Sequence, residues 1–230
     1  MIPLTIRRIF TPCIQTYTGV GLATLQRGAR KSNRLRSWSA FTTSTESKES
    51  QIPPCWIRYC ATVEDVESVG KHLAAICGNG DVLMLRGDLG AGKTTLARGL
   101  LREKLQEPEL RVTSPSYLLD NIFECGDLTV HHLDLYRLPT GCDMTMLGIP
   151  SIFSSSLCLV EWAQRLPAGS VPTEFLDVVL TIDAPSEMPA SGSAAGAAKS
   201  RTIRITPSAA KSKWSSMLNS VFGESAIDVI

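Results

Sequence analysis

The chain has 230 residues, of which 43% are hydrophobic and 20% are charged, and its formal net charge is +1. This length suits one domain with an appendage, and the hydrophobic fraction is sufficient for a substantial core. No stretch approaches the roughly 18 uninterrupted apolar residues that a membrane-spanning helix needs, so neither a membrane span nor a membrane partner is predicted.

The charge is distributed unevenly along the chain. Of the 23 Lys and Arg residues, seven lie in residues 1–45 without any acid, which leaves 16 to face all 22 acidic residues. A basic, acid-free and hydroxyl-rich N-terminus is typical of an organellar transit peptide. We therefore expect residues 1–50 to be a disordered transit peptide for a mitochondrion or a plastid, followed by a domain over residues 51–230. A disordered basic tail or an RNA-binding arm has a similar composition, and without a transit peptide the protein would be cytoplasmic.

The seven cysteines include no C-x-x-C pair, so neither a zinc site nor a disulfide framework is predicted. Cys77 and Cys158 lie in apolar segments, and we expect both to be buried free thiols.

Two predicted elements open the domain. Trp56–Cys60 has the composition of a strand. Thr62 followed by Asp65 is an N-cap signature, and apolar residues at helical spacing predict a helix that runs to Ile76, before the break at residues 78–80.

The sequence from Gly87 to Thr94, GDLGAGKT, matches the phosphate-binding pattern G-x-x-x-x-G-K-[ST]. Residues 81–86 predict a buried strand before it, and residues 95–105 predict an amphipathic helix after it. In this context backbone N–H groups and the helix dipole bind phosphate, the lysine reaches the β- and γ-phosphates, and the threonine hydroxyl ligates Mg²⁺. The predicted nucleotide-binding residues are Asp88, Leu89, Gly90, Ala91, Gly92, Lys93, Thr94 and Thr95.

A hydroxyl-rich loop follows the predicted helix, with Thr113, Ser114, Ser116 and Tyr117 around Pro115. Such a loop can sense a γ-phosphate and reorganise on hydrolysis, although an ordinary proline turn has the same composition.

Beyond this loop the pattern becomes β-rich. Ser116–Phe123 and Leu128–Leu135 are predicted strands, joined as a hairpin by the turn at residues 124–127. The mixture of strands and helices predicts an α/β domain of three layers. Further strands are predicted at Ser156–Trp162, Phe175–Ile182 and Arg201–Ile205, with a disordered low-complexity insertion at residues 184–200 and a closing helix at residues 209–222.

Two acids are candidates for completing the site, because Mg²⁺ needs oxygen ligands and a hydrolytic water needs orienting. Glu161 ends an apolar strand, which is the Walker-B arrangement. Period-two alternation places Asp134 on one strand face with His132 and Tyr136. Each acid alone could be a solvated strand-end carboxylate, and His132 could be a structural histidine.

Together these strings resemble the TsaE (YjeE) family, the small ATPase of tRNA threonylcarbamoyladenosine biosynthesis. The resemblance covers residues 56–183 and, more loosely, 201–222. It rests on five strings in the family's order and spacing: Gly87–Thr95, Ser114–Tyr117, His132–Leu138, Leu147–Ile149 and Val160–Trp162.

The resemblance implies a P-loop NTPase-like three-layer α/β/α fold with a mixed central sheet, and Mg²⁺-dependent ATP hydrolysis. It implies that Lys93 binds phosphate, that Thr94 and Glu161 hold Mg²⁺, and that Asp134 is important for hydrolysis. Trp162 is implied to lie near the nucleotide, and the Ser114–Tyr117 loop to be switch-like.

The resemblance also implies partners. The family works with TsaD and TsaB, which transfer threonylcarbamoyl to the adenosine next to the tRNA anticodon, and its hydrolysis resets that assembly. Contact with tRNA is expected to be indirect, because the part of the chain after the leader is acidic. One departure is Thr145, which stands where a glutamate is typical of the family and leaves any contact made by that acid in doubt.

Three other functions fit a phosphate-binding loop. A small-molecule kinase would usually carry an arginine-rich lid, and the segment after Glu161 offers only Arg165. A GTP-binding switch would carry an Asn-Lys-x-Asp string, which is absent. A nucleotide-binding scaffold without turnover would be expected to lack part of the catalytic set, which is intact here.

Overall fold

The computed structural model describes residues 53–139, 141–184, 199–209 and 212–224, together with the backbone of residues 5–8. The strands of these ranges are β1 (Thr5–Arg8), β2 (Trp56–Cys60), β3 (Val82–Arg86), β4 (Asp120–Cys125), β5 (Leu128–Asp134), β6 (Leu157–Glu161), β7 (Leu176–Ile182) and β8 (Arg201–Pro207). The helices are α1 (Val63–Ala74), α2 (Lys93–Leu105), α3 (Ser151–Ser155) and α4 (Trp214–Phe222), with 3₁₀ turns at Met144–Leu147, Ala163–Arg165 and Ala168–Ser170.

The described strands form one mixed sheet in the order β1-β4-β5-β6-β3-β7-β8-β2. The four central strands β5, β6, β3 and β7 are parallel, and the outer strands pair antiparallel on both sides. The carboxyl ends of the central strands therefore meet at one edge, which is where open α/β sheets bind ligands.

Alternation along β3 divides the core into two layers. Leu83 and Leu85 pack with α1, α2 and α4 on one face of the sheet. Val82 and Met84 pack on the other face, beneath α3 and the neighbouring 3₁₀ turns. The predicted three-layer α/β fold with a mixed sheet is confirmed, and its second outer layer consists of short helical segments.

Helices α1 and α2 pack unusually closely. A Cβ atom built on Gly70 would lie 2.1 Å from the carbonyl oxygen of Leu96, and one on Gly99 would lie 2.0 Å from that of Glu67. Only glycine leaves room for the facing backbone at these two positions. Because α2 begins directly at the phosphate loop, this contact helps to position the loop against the rest of the domain.

The predicted N-cap of α1 is confirmed as a full capping box. The Thr62 side chain accepts a hydrogen bond from the backbone N–H of Asp65, and the Asp65 carboxylate accepts from the N–H groups of Ala61 and Thr62. The helix ends at Ala74, two residues earlier than the apolar spacing predicts.

The predicted hairpin is confirmed, but its first strand begins later than predicted. Strand β4 begins at Asp120, and residues 116–119 form a turn in which the N–H groups of Leu118 and Leu119 both donate to the Pro115 carbonyl. Leu119 adopts a φ of 67°, which is incompatible with a strand. The prediction of a strand from Ser116 was wrong, because the backbone of this segment closes a turn on Pro115, and the Ser116 hydroxyl bonds to Asp134.

Several predictions fall at or beyond the edge of the described residues. Helix α4 begins at Trp214, five residues later than predicted. Residues 185–198 of the predicted insertion and most of the predicted leader lie outside the described residues. Within the leader, Thr5–Arg8 pairs antiparallel with β4, a strand that composition did not predict. No helix among the described residues is long and apolar enough to cross a membrane.

Candidate nucleotide site

The loop between β3 and α2 is folded as an anion cradle. Gly87 and Gly92 adopt φ values of 138° and 107°, in a region that disfavours residues with a Cβ. A Cβ on Gly87 would also lie 2.2 Å from the carbonyl oxygen of Leu180. No side chain caps the first turn of α2, so its N–H groups and the positive end of its dipole face the loop.

Lys93, the first residue of α2, is only 4% exposed. Its ammonium donates to the carbonyls of Gly87 and Asp88, at 2.8 Å each, and lies 4.0 Å from the ring centroid of Trp162. Burial lowers the pKa of Lys93, against the opposing charges of Glu161, Asp134 and Asp88. A cation held this way by neutral carbonyls stays available to a phosphate group.

Glu161 lies at the end of β6, one strand from the phosphate loop, and is 3% exposed. Its Oε1 accepts hydrogen bonds from the Thr94 hydroxyl at 2.7 Å and from His132 Nε2 at 2.8 Å. His132 is fully buried and must donate here, since a carboxylate has no proton to give. Thr94, from the helix, and Glu161, from the sheet, thus place a hydroxyl and a carboxylate together.

Asp134 is the register partner of Glu161 in the parallel pair β5–β6. Its Oδ2 accepts from the hydroxyls of Ser114 and Ser116, the latter at 2.6 Å, and its Oδ1 accepts from the Tyr136 N–H at 2.9 Å. The predicted switch-like loop is therefore tied to the carboxyl end of β5 by two hydroxyls.

Tyr136 and Trp162 form an aromatic wall beside these acids. Period-two alternation predicted Tyr136 on the same strand as Asp134. The strand ends at Asp134, however, so Tyr136 lies in the turn that follows it. Its ring centroid is 4.8 Å from that of Trp162, which adopts a φ of 59°. Both residues line the cavity beside the phosphate loop, and the Trp162 ring contacts the ammonium of Lys93.

These groups surround a cavity of about 270 Å³. Most of the predicted site residues line it together with Tyr136: Leu89, Gly90, Gly92, Lys93, Thr94, Thr95, Ser114, Ser116, Asp134, Glu161 and Trp162.

Four predicted residues do not line the cavity. Asp88 contributes its carbonyl to Lys93, and Ala91 is buried in the core beneath the loop. Thr113 is exposed, and Tyr117 is 81% exposed with Arg137 stacked 4.3 Å from its ring centroid.

Three residues at the site were not predicted as members, and one of them is Tyr136, which lines the cavity. His132 bonds to Glu161, and its place on the same strand face as Asp134 was a usable signal. Arg201, the first residue of β8, donates a hydrogen bond of 3.3 Å to the carbonyl of Gly90. The two residues are more than a hundred positions apart in the sequence, so no local pattern could have indicated this contact.

No group of three or more His, Cys, Asp or Glu side chains that could hold a metal occurs among the described residues.

Comparison with known proteins decides the family. The profile described as "Threonylcarbamoyl adenosine biosynthesis protein TsaE" matches residues 60–188, more than half of the chain. This chain belongs to the TsaE family.

Individual TsaE proteins are similar over the same region. That of Bacillus subtilis is 37% identical over 118 residues, which cover 51% of this chain and 72% of the relative. That of a Nostoc species is 34% identical over 130 residues, which cover 54% and 76%. The crystal structure of Bacillus subtilis YdiB superposes with a TM-score of 0.53 at 27% identity, over 75% of this chain and 97% of that one.

Membership of the TsaE family assigns the chain to tRNA threonylcarbamoyladenosine biosynthesis. Thr145, the residue at which the sequence departs from the expected pattern, is exposed, and Asp143 caps its turn. Asp143 accepts hydrogen bonds from the Thr145 N–H at 2.9 Å and hydroxyl at 2.8 Å, and these lower the pKa of Asp143. The turn is thus closed locally, outside the nucleotide cavity.

Proposed function

We propose that the chain binds Mg²⁺-ATP in the cavity at the phosphate loop and hydrolyses it. In this role it supports threonylcarbamoyl transfer, by TsaD-type and TsaB-type partners, to the tRNA adenosine next to the anticodon. The observation that carries the proposal is the meeting of Thr94, Glu161 and Asp134 beside the loop, because a phosphate cradle alone binds anions without cleaving them.

The donor set fits the metal. Thr94 offers a hydroxyl and Glu161 a carboxylate, both hard oxygen donors, and Asp134 adds negative charge on the next strand. Thr94 and Glu161 would hold the ion, and Mg²⁺ when bound would neutralise charge on the phosphate oxygens.

The remaining roles follow from charge and reach. Lys93 would leave the carbonyls of Gly87 and Asp88 for the phosphates, since its attraction to an anion exceeds that to neutral oxygen. Asp134 would orient the attacking water, and its bonds to Ser114 and Ser116 would make that loop respond to hydrolysis.

Indirect contact with tRNA follows from the charge balance. The chain after residue 45 carries more acidic than basic residues, which opposes a phosphate backbone. We assign tRNA contact to the partner proteins and organellar delivery to the basic leader. A fluorescent protein fused to residues 1–50 should enter a mitochondrion or plastid, and a cytosolic signal would contradict this.

The deciding experiment is an ATPase assay with and without the organellar TsaD-type protein. Phosphate release should require Mg²⁺, rise with the partner, and be lost in Lys93→Ala and Glu161→Gln. Lys71→Ala and Glu109→Gln, which change surface charges of the same kind, are the matched controls and should hydrolyse normally. Unchanged turnover in Lys93→Ala would refute the proposal, and transfer of phosphate to a small metabolite, detected by mass, would indicate a kinase.

A further inference from the structure

A second cavity, of about 230 Å³, lies on the sheet face opposite the nucleotide site. Successive residues of β5 point to opposite faces, so His132 joins the nucleotide site while His131 lines this second cavity. Nothing in the proposed ATPase chemistry uses His131 or its partner Asp120.

Asp120 and His131 form a buried pair in the cavity wall. Their exposures are 5% and 8%, and the distance from His131 Nδ1 to Asp120 Oδ2 is 2.7 Å. The other carboxylate oxygen, Oδ1, is buried without a hydrogen-bond partner. A buried carboxylate oxygen without a hydrogen bond destabilises the fold, and Oδ1 of Asp120 lacks a donor.

The rest of the wall is apolar. It comes from the loop after the phosphate site, from a 3₁₀ turn and from α3: Leu118, Met146, Leu147 and Ile152. No lysine or arginine in the described part of the chain pairs with Asp120. The pKa of the Cys158 thiol is raised mainly by burial and, to a smaller extent, by the negative charge of Asp120. An apolar wall around a buried acid, one oxygen of which lacks a hydrogen-bond donor, suits a cation on an apolar stem.

We propose that this cavity receives a lysine or arginine side chain of a partner polypeptide, whose charged head pairs with Asp120. Its aliphatic stem would pack on Met146 and Leu147. A basic side chain would supply the donor that Oδ1 of Asp120 lacks, whereas an acidic or purely apolar one would leave this oxygen unpaired.

A side chain bound in this cavity would affect the nucleotide site through the loop that contacts both. Leu118 lines this cavity, while Ser114 and Ser116 of the same loop bond to Asp134 on the other face. A basic side chain seated against Leu118 would restrain the loop that contacts Asp134. Only this coupling step rests on the proposed ATPase function.

The first test uses n-butylguanidinium as the probe, without nucleotide or partner, and follows the methyl signal of isotope-labelled Met146 by NMR. The probe should shift this signal saturably, and Asp120→Asn should weaken binding about tenfold or more, because a charge-assisted hydrogen bond is lost. Asp127→Asn, an exposed acid in the hairpin turn, is the matched control and should bind as the parent does. Leu147→Trp should block the cavity while keeping Asp120.

Equal binding of uncharged n-butanol, or unchanged probe binding in Asp120→Asn, would overturn the proposal. The second test measures affinity for the organellar TsaD-type protein by calorimetry. Asp120→Asn and Leu147→Trp should each weaken it, and unchanged affinity in both would overturn the assignment to a partner. Neither test requires ATP hydrolysis, so failure here and failure of the ATPase proposal are distinguishable.

Discussion

Glu161 receives hydrogen bonds from two residues that approach it from different directions. Thr94 comes from the start of α2, and His132 comes from the middle of the neighbouring strand β5. The second imidazole nitrogen of His132, Nδ1, is buried without a partner. The bond to Glu161 is therefore the one polar contact found for this ring within the described structure, and we infer that His132 positions the Glu161 carboxylate.

Replacing His132 should raise the Mg²⁺ concentration needed for half-maximal ATP hydrolysis while leaving the fold intact. His132→Leu removes a donor to a buried carboxylate, an interaction worth about 1.5–3 kcal/mol, so the half-saturating Mg²⁺ concentration should rise about tenfold or more. His132→Gln, which can still donate, should restore much of it. The measurement is Mg²⁺ titration of ATP hydrolysis.

His72→Leu is the control, since that ring is exposed on α1 and does not line the nucleotide cavity. If both His132 variants lost thermal stability equally while the Mg²⁺ titration stayed unchanged, His132 would be structural only.

Among the elements, α1 and α2 depend on two glycines that a propensity scale would disfavour. Gly99→Ala should improve intrinsic helix propensity by about 1 kcal/mol. The added methyl would however meet the backbone of Glu67, which cannot rotate away as a side chain could. Overpacking of this kind costs about 1–3 kcal/mol, so we expect net destabilisation.

Urea unfolding checks the sign for Gly99→Ala, which should lower the midpoint without changing the m-value. Gly169→Ala, whose added methyl meets no atom within 4 Å, should change stability by less than about 0.5 kcal/mol. A Gly99→Ala midpoint equal to or above the parent's would mean that the cost of overpacking does not exceed the gain in helix propensity.

The capping box of α1 predicts a pH-dependent contribution to stability. Hydrogen bonds from Thr62, and then Ala61, hold the pKa of Asp65 below its ordinary value. A depressed carboxyl pKa stabilises the fold above the unfolded pKa of about 3.9, and this stabilisation is lost as the pH falls through the folded pKa. The melting temperature of Asp65→Ala should be below the parent's at pH 7, and the two should converge near pH 2. A constant difference across that range would show that charge plays no part.

At the scale of the whole molecule, the hydrophobic core that the structure describes lies between residues 55 and 218. The buried hydrophobic residues of the described ranges all lie at or after Cys55, while β1 adds backbone pairing to the edge strand β4. A protein that begins at residue 53 should therefore fold cooperatively. Its hydrogen exchange should accelerate at residues 121–124 of β4 and stay unchanged in β3. Loss of the unfolding transition would show that the segment belongs to the core.

The parts of the site that were predictable are those written in short strings. They are the phosphate loop, the acid at the end of β6 and the hairpin. Each is determined by turn residues and side-chain alternation within about ten neighbouring residues. The turn at residues 116–119 was not predictable, because the Ser116 hydroxyl bonds to Asp134 on a strand that only the tertiary fold brings beside it. Arg201 was missed for the same reason, since it reaches Gly90 through the tertiary fold.

Short residue patterns were enough to predict the chemical groups of the site: a phosphate cradle, a lysine, a threonine and two strand-end acids. Which of these groups lie together depends on the order of the strands. The sheet order places β5 beside β6 and β6 beside β3, so Asp134, Glu161 and the phosphate loop converge although they are far apart in the chain. It also turned Thr113 and Tyr117 outward and set Asp120 against His131 on the opposite face. Strand order depends on how the whole core packs, and local residue patterns do not contain that information.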